Sequence, residues 1–378
     1  MEPEVLDVCA REEPPGHWDA AIFLAGPSPR DEAVPSWRPR AVEVLRDRWK
    51  APGRLVVFVP EHRHGVYDDY TGQVEWEERC LHLADEIVFW VPRDMRTMPA
   101  LTTNVEWGMW HDSGKVVFGA PPQAPRNKYL RHYAVKHGVP VAATLDDVIA
   151  AALERIGEGA RRSGGEREIP LLLWRQESFQ RWYAAQRGAG NALRGARLQW
   201  RAGPYWGLRA AVEVAAEGRV KEEIVFFRPD VSAVVLYRPG ATPEETAVVL
   251  VREFRGPAAT EDGFARALPG GSGPGDPRHV AAREVAEETG LAVDAARLRP
   301  HGSRQADAAM SAHRVHLFSA EITEEELARI RGTGPHGRAE EGERTFVEAA
   351  TFAEIGRGRL VDWATFGMIA EVLAAVRR

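Results

Sequence analysis

The sequence predicts two domains: an N-terminal α/β domain built on a parallel sheet, and a C-terminal α+β domain. Three observations carry this. Apolar runs and helix-spaced segments alternate through roughly the first 150 residues. A Gly-rich, charged stretch (GEGARRSGGER, 157–167) follows. Beyond it, β-rich runs are grouped around a few helices. The expected boundaries are 1–156, a linker at 157–169, and 170–378. A chain of 378 residues also exceeds what one core usually holds.

Residues 21–25 (AIFLA) form a short apolar run that stops at Gly26-Pro27, the pattern of a buried strand. Residues 41–49 have helical spacing, and 55–59 (LVVFV) are a second strand-like run ended by Pro60. Residues 74–83 are helical again, and 86–91 (EIVFWV) end at Pro92. A helix over 104–111 and a strand over 115–119 continue the rhythm, and 148–156 read as the last helix of this unit. In a parallel sheet, ligands sit at the carboxyl ends of the strands. That directs the search to the segments after Ala25, Val59, Val91 and Phe118. In the second domain, 224–227, 232–237, 247–251, 313–320 and 345–349 read as strands. Residues 276–290 read as a helix, and 365–376 as the last of two closing helices.

Composition narrows the function. Hydrophobic residues at 44% and charged residues at 28% are usual for a globular protein in water. A net charge of −6 argues against a broad nucleic-acid or membrane surface. Cys9 and Cys80 are too few for a disulfide scaffold and lack metal-ligand spacing. The acidic N-terminus does not read as a signal peptide, and no apolar run reaches membrane-spanning length, so a cytoplasmic protein is expected.

Asp276-Pro277 reads as a helix start, with Asp as N-cap and Pro at the first helical position, and Gly290 as its stop. Between them Glu284, Glu287 and Glu288 stand at i, i+3 and i+4 and share a face. Their charges repel unless a cation sits among them. Oxygen ligands suit Mg²⁺ or Mn²⁺, and the Gly-rich residues ahead of the helix let backbone N–H groups approach an anion. A solvated acidic face is the alternative. The residue order goes further: REVAEETGL (283–291) resembles the second half of the Nudix box, REUxEExGU with U aliphatic, at every specified position. VLVREFR (249–255) followed by LPGG (268–271) resembles what precedes the box in ADP-ribose and sugar-nucleotide pyrophosphatases of that superfamily.

This resemblance covers roughly residue 170 to the C-terminus. It implies a Nudix fold and hydrolysis of a nucleoside diphosphate linked to another group. Glu284, Glu287 and Glu288 would be metal ligands, with Glu287 also catalytic, and Gly270, Gly271 and Arg255 would contact substrate. A later acid, Glu341 or Glu343, is a candidate base or ligand. The box departs from its pattern at Gly275, where a Glu is expected. Asp276, one position late, is expected to stand in as helix cap and partner of Arg283, and the loop from Gly271 is one residue short. These departures leave open a domain that binds a nucleotide without cleaving it.

The first domain holds its own constellation. IFLAGP (22–27), ADEIV (84–88), TTNVEWG (102–108) and GKVV (114–117) together resemble nucleoside 2-deoxyribosyltransferases over roughly residues 20–135. The resemblance implies that Gly26 lies in the loop beneath the sugar and that Phe23 stands where relatives carry a Tyr. It implies that Glu106 is the nucleophile, with Thr103 and Asn104 beside it at the substrate. A carboxylate suits this chemistry, because cleaving an N-glycosidic bond builds positive charge at C1′ and the ring oxygen. Near a helix N-terminus, Glu106 is expected to be kept ionised by the helix dipole. A second acid can protonate the departing base, and Glu77, Glu78 and Asp85 are the candidates. Helical spacing puts Glu75 and Glu78 on one side and Glu77 on another. Asp85 serves equally well as a structural cap. Arg30, Lys115, Arg126 and Lys128 are candidates for a 5′-phosphate, and Trp37 for a wall that stacks a base. Trp76, Trp90, Trp107 and Trp110 are expected mostly in the core. Ala100 stands six residues before Glu106, where transferases have an Asp. That departure and Phe23 favour hydrolysis over base exchange.

The expectation is a bifunctional, Mg²⁺-dependent enzyme. One part would split a dinucleotide or ADP-ribose-like compound, and the other would release the base of the nucleotide formed. A glycosidase regulated by a nucleotide-binding second domain is the alternative. Small-molecule nucleotides are the expected partners. The aromatic stretch WRQESFQRWY (174–183), with Trp200, Tyr205 and Trp206, reads as core packing or a homodimer contact.

Overall fold

The computed structural model describes residues 2–31, 33–63, 70–338 and 342–376. The chain divides into two compact units, Met1–Val225 and Phe226–Arg378.

The first unit runs β1 (Pro3–Cys9), β2 (His17–Trp18), β3 (Ala20–Ala25), α1 (Arg38–Arg48), β4 (Gly53–Val59), α2 (Tyr70–Leu83), β5 (Glu86–Trp90), α3 (Leu101–Trp110), β6 (Val116–Gly119), α4 (Lys128–Lys136), β7 (Val141–Ala142) and α5 (Leu145–Ile156). Then come β8 (Arg162–Ser163), α6 (Leu171–Trp174), α7 (Glu177–Gly188), β9 (Ala192–Ala202), β10 (Tyr205–Val214) and β11 (Arg219–Phe227), which crosses into the second unit. Six strands form an all-parallel sheet in the order β1-β4-β3-β5-β6-β7. Helices cover both faces, which is why the strands are continuously apolar rather than alternating. Phe23, Phe58, Phe89 and Phe118 pack with residues of α2, α3 and α4. Ile22, Leu24, Val57 and Val88 pack with residues of α1 and α5. From β3 the chain steps outward to β4, then returns past β3 to β5. The strand order therefore reverses between β3 and β5, and the crevice at their carboxyl ends is where such folds take ligands.

The sequence pattern missed β1. It is an edge strand that pairs only with β4, and its first half is partly exposed, so it has no continuous apolar run. The stretch 157–169, expected as a linker, lies within the first unit. There β8 pairs with β2, and Arg162 is fully buried. Strands β9, β10 and β11 form a three-stranded sheet. Only 224–227 of it was legible, because β9 and most of β11 carry charged residues at exposed positions. Phe179 and Tyr183 of α7 are buried and stack on each other, and Trp206 is buried too, whereas Trp200 and Tyr205 are exposed.

The second unit contains β12 (Val231–Arg238), β13 (Ala247–Phe254), β14 (Phe264–Ala267), β15 (Gly270–Gly271), α8 (Pro277–Thr289), β16 (Arg299–Arg304), β17 (Val315–Glu321), α9 (Glu324–Ile330), β18 (Phe346–Thr351), α10 (Phe352–Gly358) and α11 (Trp363–Val376). Its sheet is mixed: β12 runs parallel to β17 and antiparallel to β13 and β15. The period of two along β12 sends Val234 and Leu236 to the α8 side with Ala281 and Val285. Val235 and Tyr237 go to the other side with Ile369 and Val372 of α11. Asp276 caps α8 by accepting from Arg278 N at 2.9 Å, and Gly290 ends it at φ +71°. Among the described residues, no helix is long and apolar enough to cross a membrane.

Candidate functional site

At the carboxyl edge of the parallel sheet lies a cavity of about 220 Å³. Gly26, Pro27, Ser28 and Arg30 line it from the loop after β3, and Pro99 and Ala100 from the loop after β5. Thr103 and Glu106 contribute from α3, Gln73 and Glu77 from α2, and Arg38 from α1. Gly26 is the residue its backbone requires. Its φ is +152°, and a Cβ there would stand 2.2 Å from the Trp90 carbonyl oxygen. Thr103 is one turn before Glu106, only 2% exposed, and on the same helix face.

Two carboxylates meet this cavity. Burial raises Glu106 to about 7, with the negative charge of Glu77 adding to the rise and Arg38 opposing it. Burial also raises Glu77, while a 2.6 Å hydrogen bond from Gln73 Nε2 and the charge of Arg38 pull it back. The expectation that the helix dipole keeps Glu106 ionised is therefore corrected. Glu106 is the sixth residue of α3, beyond the first turn where the dipole acts, and burial dominates. Both carboxyls thus hold their protons more tightly than a carboxyl in water, and the negative charge of Glu77 opposes ionisation of Glu106.

The other expected residues separate. Glu78 lies on the far side of α2 from this cavity, pairing with Arg197 at 3.2 Å in a different hollow, of about 690 Å³. Asp85 precedes β5 and so sits at the amino edge of the sheet. Its oxygens accept from Arg162 at 2.7 and 2.6 Å, from Ala21 N and from Leu171 N at 2.9 Å, which is a structural role. Lys115 precedes β6 at the same edge. Its ammonium is buried and donates to the carbonyls of Leu81, His82 and Ala84, closing the end of α2 rather than meeting a phosphate. Phe23 is wholly in the core. Trp37 is buried under the Gly26 loop, donating to the Pro27 carbonyl at 3.1 Å, so it supports the loop and does not line the cavity as a stacking wall. Asn104 accepts from Arg93 at 2.6 Å and lies outside the lining. Arg30 lines the cavity, whereas Arg126 and Lys128 are exposed and do not. Sequence reasoning missed Arg38 and Gln73. Arg38 is a cation next to Trp37 in the stretch PSWRP (35–39), but nothing local shows that it turns inward.

In the second unit the acidic helix is engaged with its own protein. Glu288 accepts from Gly270 N at 2.8 Å, and burial, with Glu284 and Glu253 nearby, raises it to about 8. The glycine N–H expected for an anionic ligand thus meets a carboxylate of the same chain. Gly271 leaves room for Glu284, whose carboxyl carbon would lie 2.6 Å from a Cβ there. Arg283 binds Glu284 at 2.9 Å. Asp276 is the helix cap, while the ion pairs of Arg283 are with Glu284 and Glu287 rather than with Asp276. Glu287 is held by Arg338 at 2.9 and 3.0 Å. Arg255 is half-exposed and pairs with Glu253 at 2.6 Å. Glu341 lies outside the described residues. Among the described residues, no three carboxylate, histidine or cysteine side chains are gathered as a metal ion needs. Glu284 and Glu288 have the donor chemistry for Mg²⁺, but Glu287 is drawn off by Arg338.

A parallel α/β sheet with paired carboxylates at its switch-point crevice defines a ligand site suited to acid–base chemistry. Residues 19–124 match the family model described as nucleoside 2-deoxyribosyltransferase like. The match spans well under half of the 378 residues and does not reach the second unit. The family is enzymatic, so glycosyl transfer or glycosidic cleavage is the activity class this part supports. No curated protein matches the chain.

Proposed function

We propose that the first unit hydrolyses the N-glycosidic bond of a nucleoside or nucleotide. The observation that carries this reading is the placement of Glu77 and Glu106 on one small cavity beside Gly26. One carboxyl gives its proton to the leaving base as the C1′–N bond breaks. The other, ionised, faces the positive charge that develops at C1′; water then adds its hydroxyl to C1′, and its remaining proton returns to the carboxyl that gave one. Two departures favour water over a second base: Phe23 is core rather than a tyrosine at the site, and Ala100 stands where transferases have an Asp.

The second unit is the partner in this scheme. Its REVAEETGL helix supports a Nudix-like role on a nucleoside diphosphate-linked compound, a dinucleotide or ADP-ribose among them. Glu284 and Glu288 would hold Mg²⁺ or Mn²⁺, which when bound polarises a phosphoryl oxygen. The Glu287–Arg338 ion pair favours a second reading, in which this unit binds a nucleotide and regulates the glycosidase. Incubation with NAD, ADP-ribose, nucleosides and nucleoside monophosphates plus Mg²⁺, followed by mass spectrometry, tests both. E106A is expected to abolish free base, and E288Q to abolish pyrophosphate cleavage. Free base with no pyrophosphate cleavage supports the regulatory reading. No product from any compound rejects the enzymatic one.

A further inference from the structure

Arg38 is 1% exposed. A guanidinium closed off from water needs acceptors for its N–H donors. It finds them at the carboxyl ends of two strands. Nε donates to the Leu24 carbonyl at 3.1 Å and Nη2 to the Gly26 carbonyl at 2.6 Å. Nη1 donates to Ser28 Oγ at 2.9 Å and to the Glu61 carboxylate. Leu24 belongs to β3, Gly26 and Ser28 to the loop after it, and Glu61 to the chain just past β4. The same side chain lines the cavity that holds Glu77 and Glu106.

We infer that Arg38 is the positioning residue of this site: it pins the Gly26–Ser28 wall to the sheet and keeps a positive charge beside the two carboxylates. This rests on the glycosidic reading of the cavity. The wall is held from both sides, because Gly26 is pressed against the Trp90 carbonyl while its own carbonyl is drawn to Arg38. Among the described residues, the charged groups around the cavity besides Arg38 are Glu77 on α2, Glu106 on α3, Glu61 past β4, and Arg30 in the β3 loop. Against three carboxylates and the burial that lifts Glu77 and Glu106, the charge of Arg38 favours ionisation of both. Without that charge both carboxyls hold their protons more tightly, and less of the ionised form is left to face C1′.

Two substitutions separate the roles. R38K keeps a charge but loses the planar set of donors that reaches four acceptors, and R38Q loses the charge. The panel is nucleosides and nucleoside 5′-monophosphates. For the member that wild type hydrolyses best, R38Q should move the acid limb of kcat/KM up by about one pH unit. R38K should keep that limb near its wild-type position while raising KM about fivefold or more. A second readout needs no substrate: ¹³C titration of labelled glutamate carboxyls, assigned with E77Q and E106Q, should show both groups rising in R38Q. A folded R38Q whose Glu77 and Glu106 titrate as in wild type overturns the inference. So does an R38K protein with wild-type KM, which also decides the matter if R38Q does not fold. If wild type releases no base from the panel, the glycosidic reading falls, and the carboxyl titration still decides the role of Arg38.

Discussion

The Asp85 carboxylate and the Arg162 guanidinium meet in a two-pronged ion pair at 2.6 and 2.7 Å, with both side chains closed off from solvent. Both Asp85 oxygens also accept backbone N–H groups, from Ala21 and Leu171. D85A leaves Arg162 as an uncompensated buried charge, which costs about 3–5 kcal/mol. Urea unfolding should show that loss, and D85A/R162M should recover part of it. A D85A protein of wild-type stability that has lost base release would instead return Asp85 to the chemistry.

Glu106 gives stability a pH signature. Folded, it holds its proton up to about 7, whereas in the unfolded chain it ionises in the ordinary carboxylate range. Across that window the folded state binds the extra proton, so raising the pH lowers stability, and the loss is complete above about 7. E106Q has no proton to lose. Its Tm should gain on wild type as pH rises from about 5 to about 7 and then run parallel. A Tm difference that is flat across the whole range would contradict the raised carboxyl.

Gly26 cannot take a side chain without moving its neighbours, since a Cβ would stand 2.2 Å from the Trp90 carbonyl oxygen at φ +152°. G26A should lose about 1–3 kcal/mol of stability from backbone strain. Base release should fall with it, because the same loop walls the cavity. Thermal unfolding and initial rates on one preparation check both, and unchanged values for either would mean that the loop yields.

The acidic pair of the second unit makes a metal prediction. At pH 7 burial and the neighbouring carboxylates favour the protonated form of Glu288. A divalent cation beside it favours the ionised form, so binding should release protons and tighten as pH rises. Millimolar Mg²⁺ should raise the Tm of wild type but not of E284Q/E288Q, and R338M, by removing the nearer of the two arginines on Glu287, should enlarge the shift. Equal shifts in all three proteins would place the ion elsewhere.

Much of the scaffold was written locally. Strands β3, β4, β5 and β6 were legible because strands buried on both faces must be apolar throughout, and each is followed by a loop that ends it. The α8 helix was legible because Asp276, Pro277 and Gly290 act within one or two turns of its ends. Asp85 and Lys115 stand just ahead of their strands, which in a parallel sheet puts them on the edge opposite Gly26.

By itself the sequence determined the parallel sheet, the loop at Gly26, the helix that bears Glu106, and the phase that parts Glu77 from Glu78. Tertiary structure alone decided the rest. It brought Arg38 under the cavity, gave Asp85 to Arg162 across 77 positions, and turned Glu287 to Arg338 across 51. Caps and periodicities follow from backbone geometry over a few residues. The partner of a buried charge is set by which distant acceptor the packed chain leaves within about 3 Å, and no local pattern encodes that.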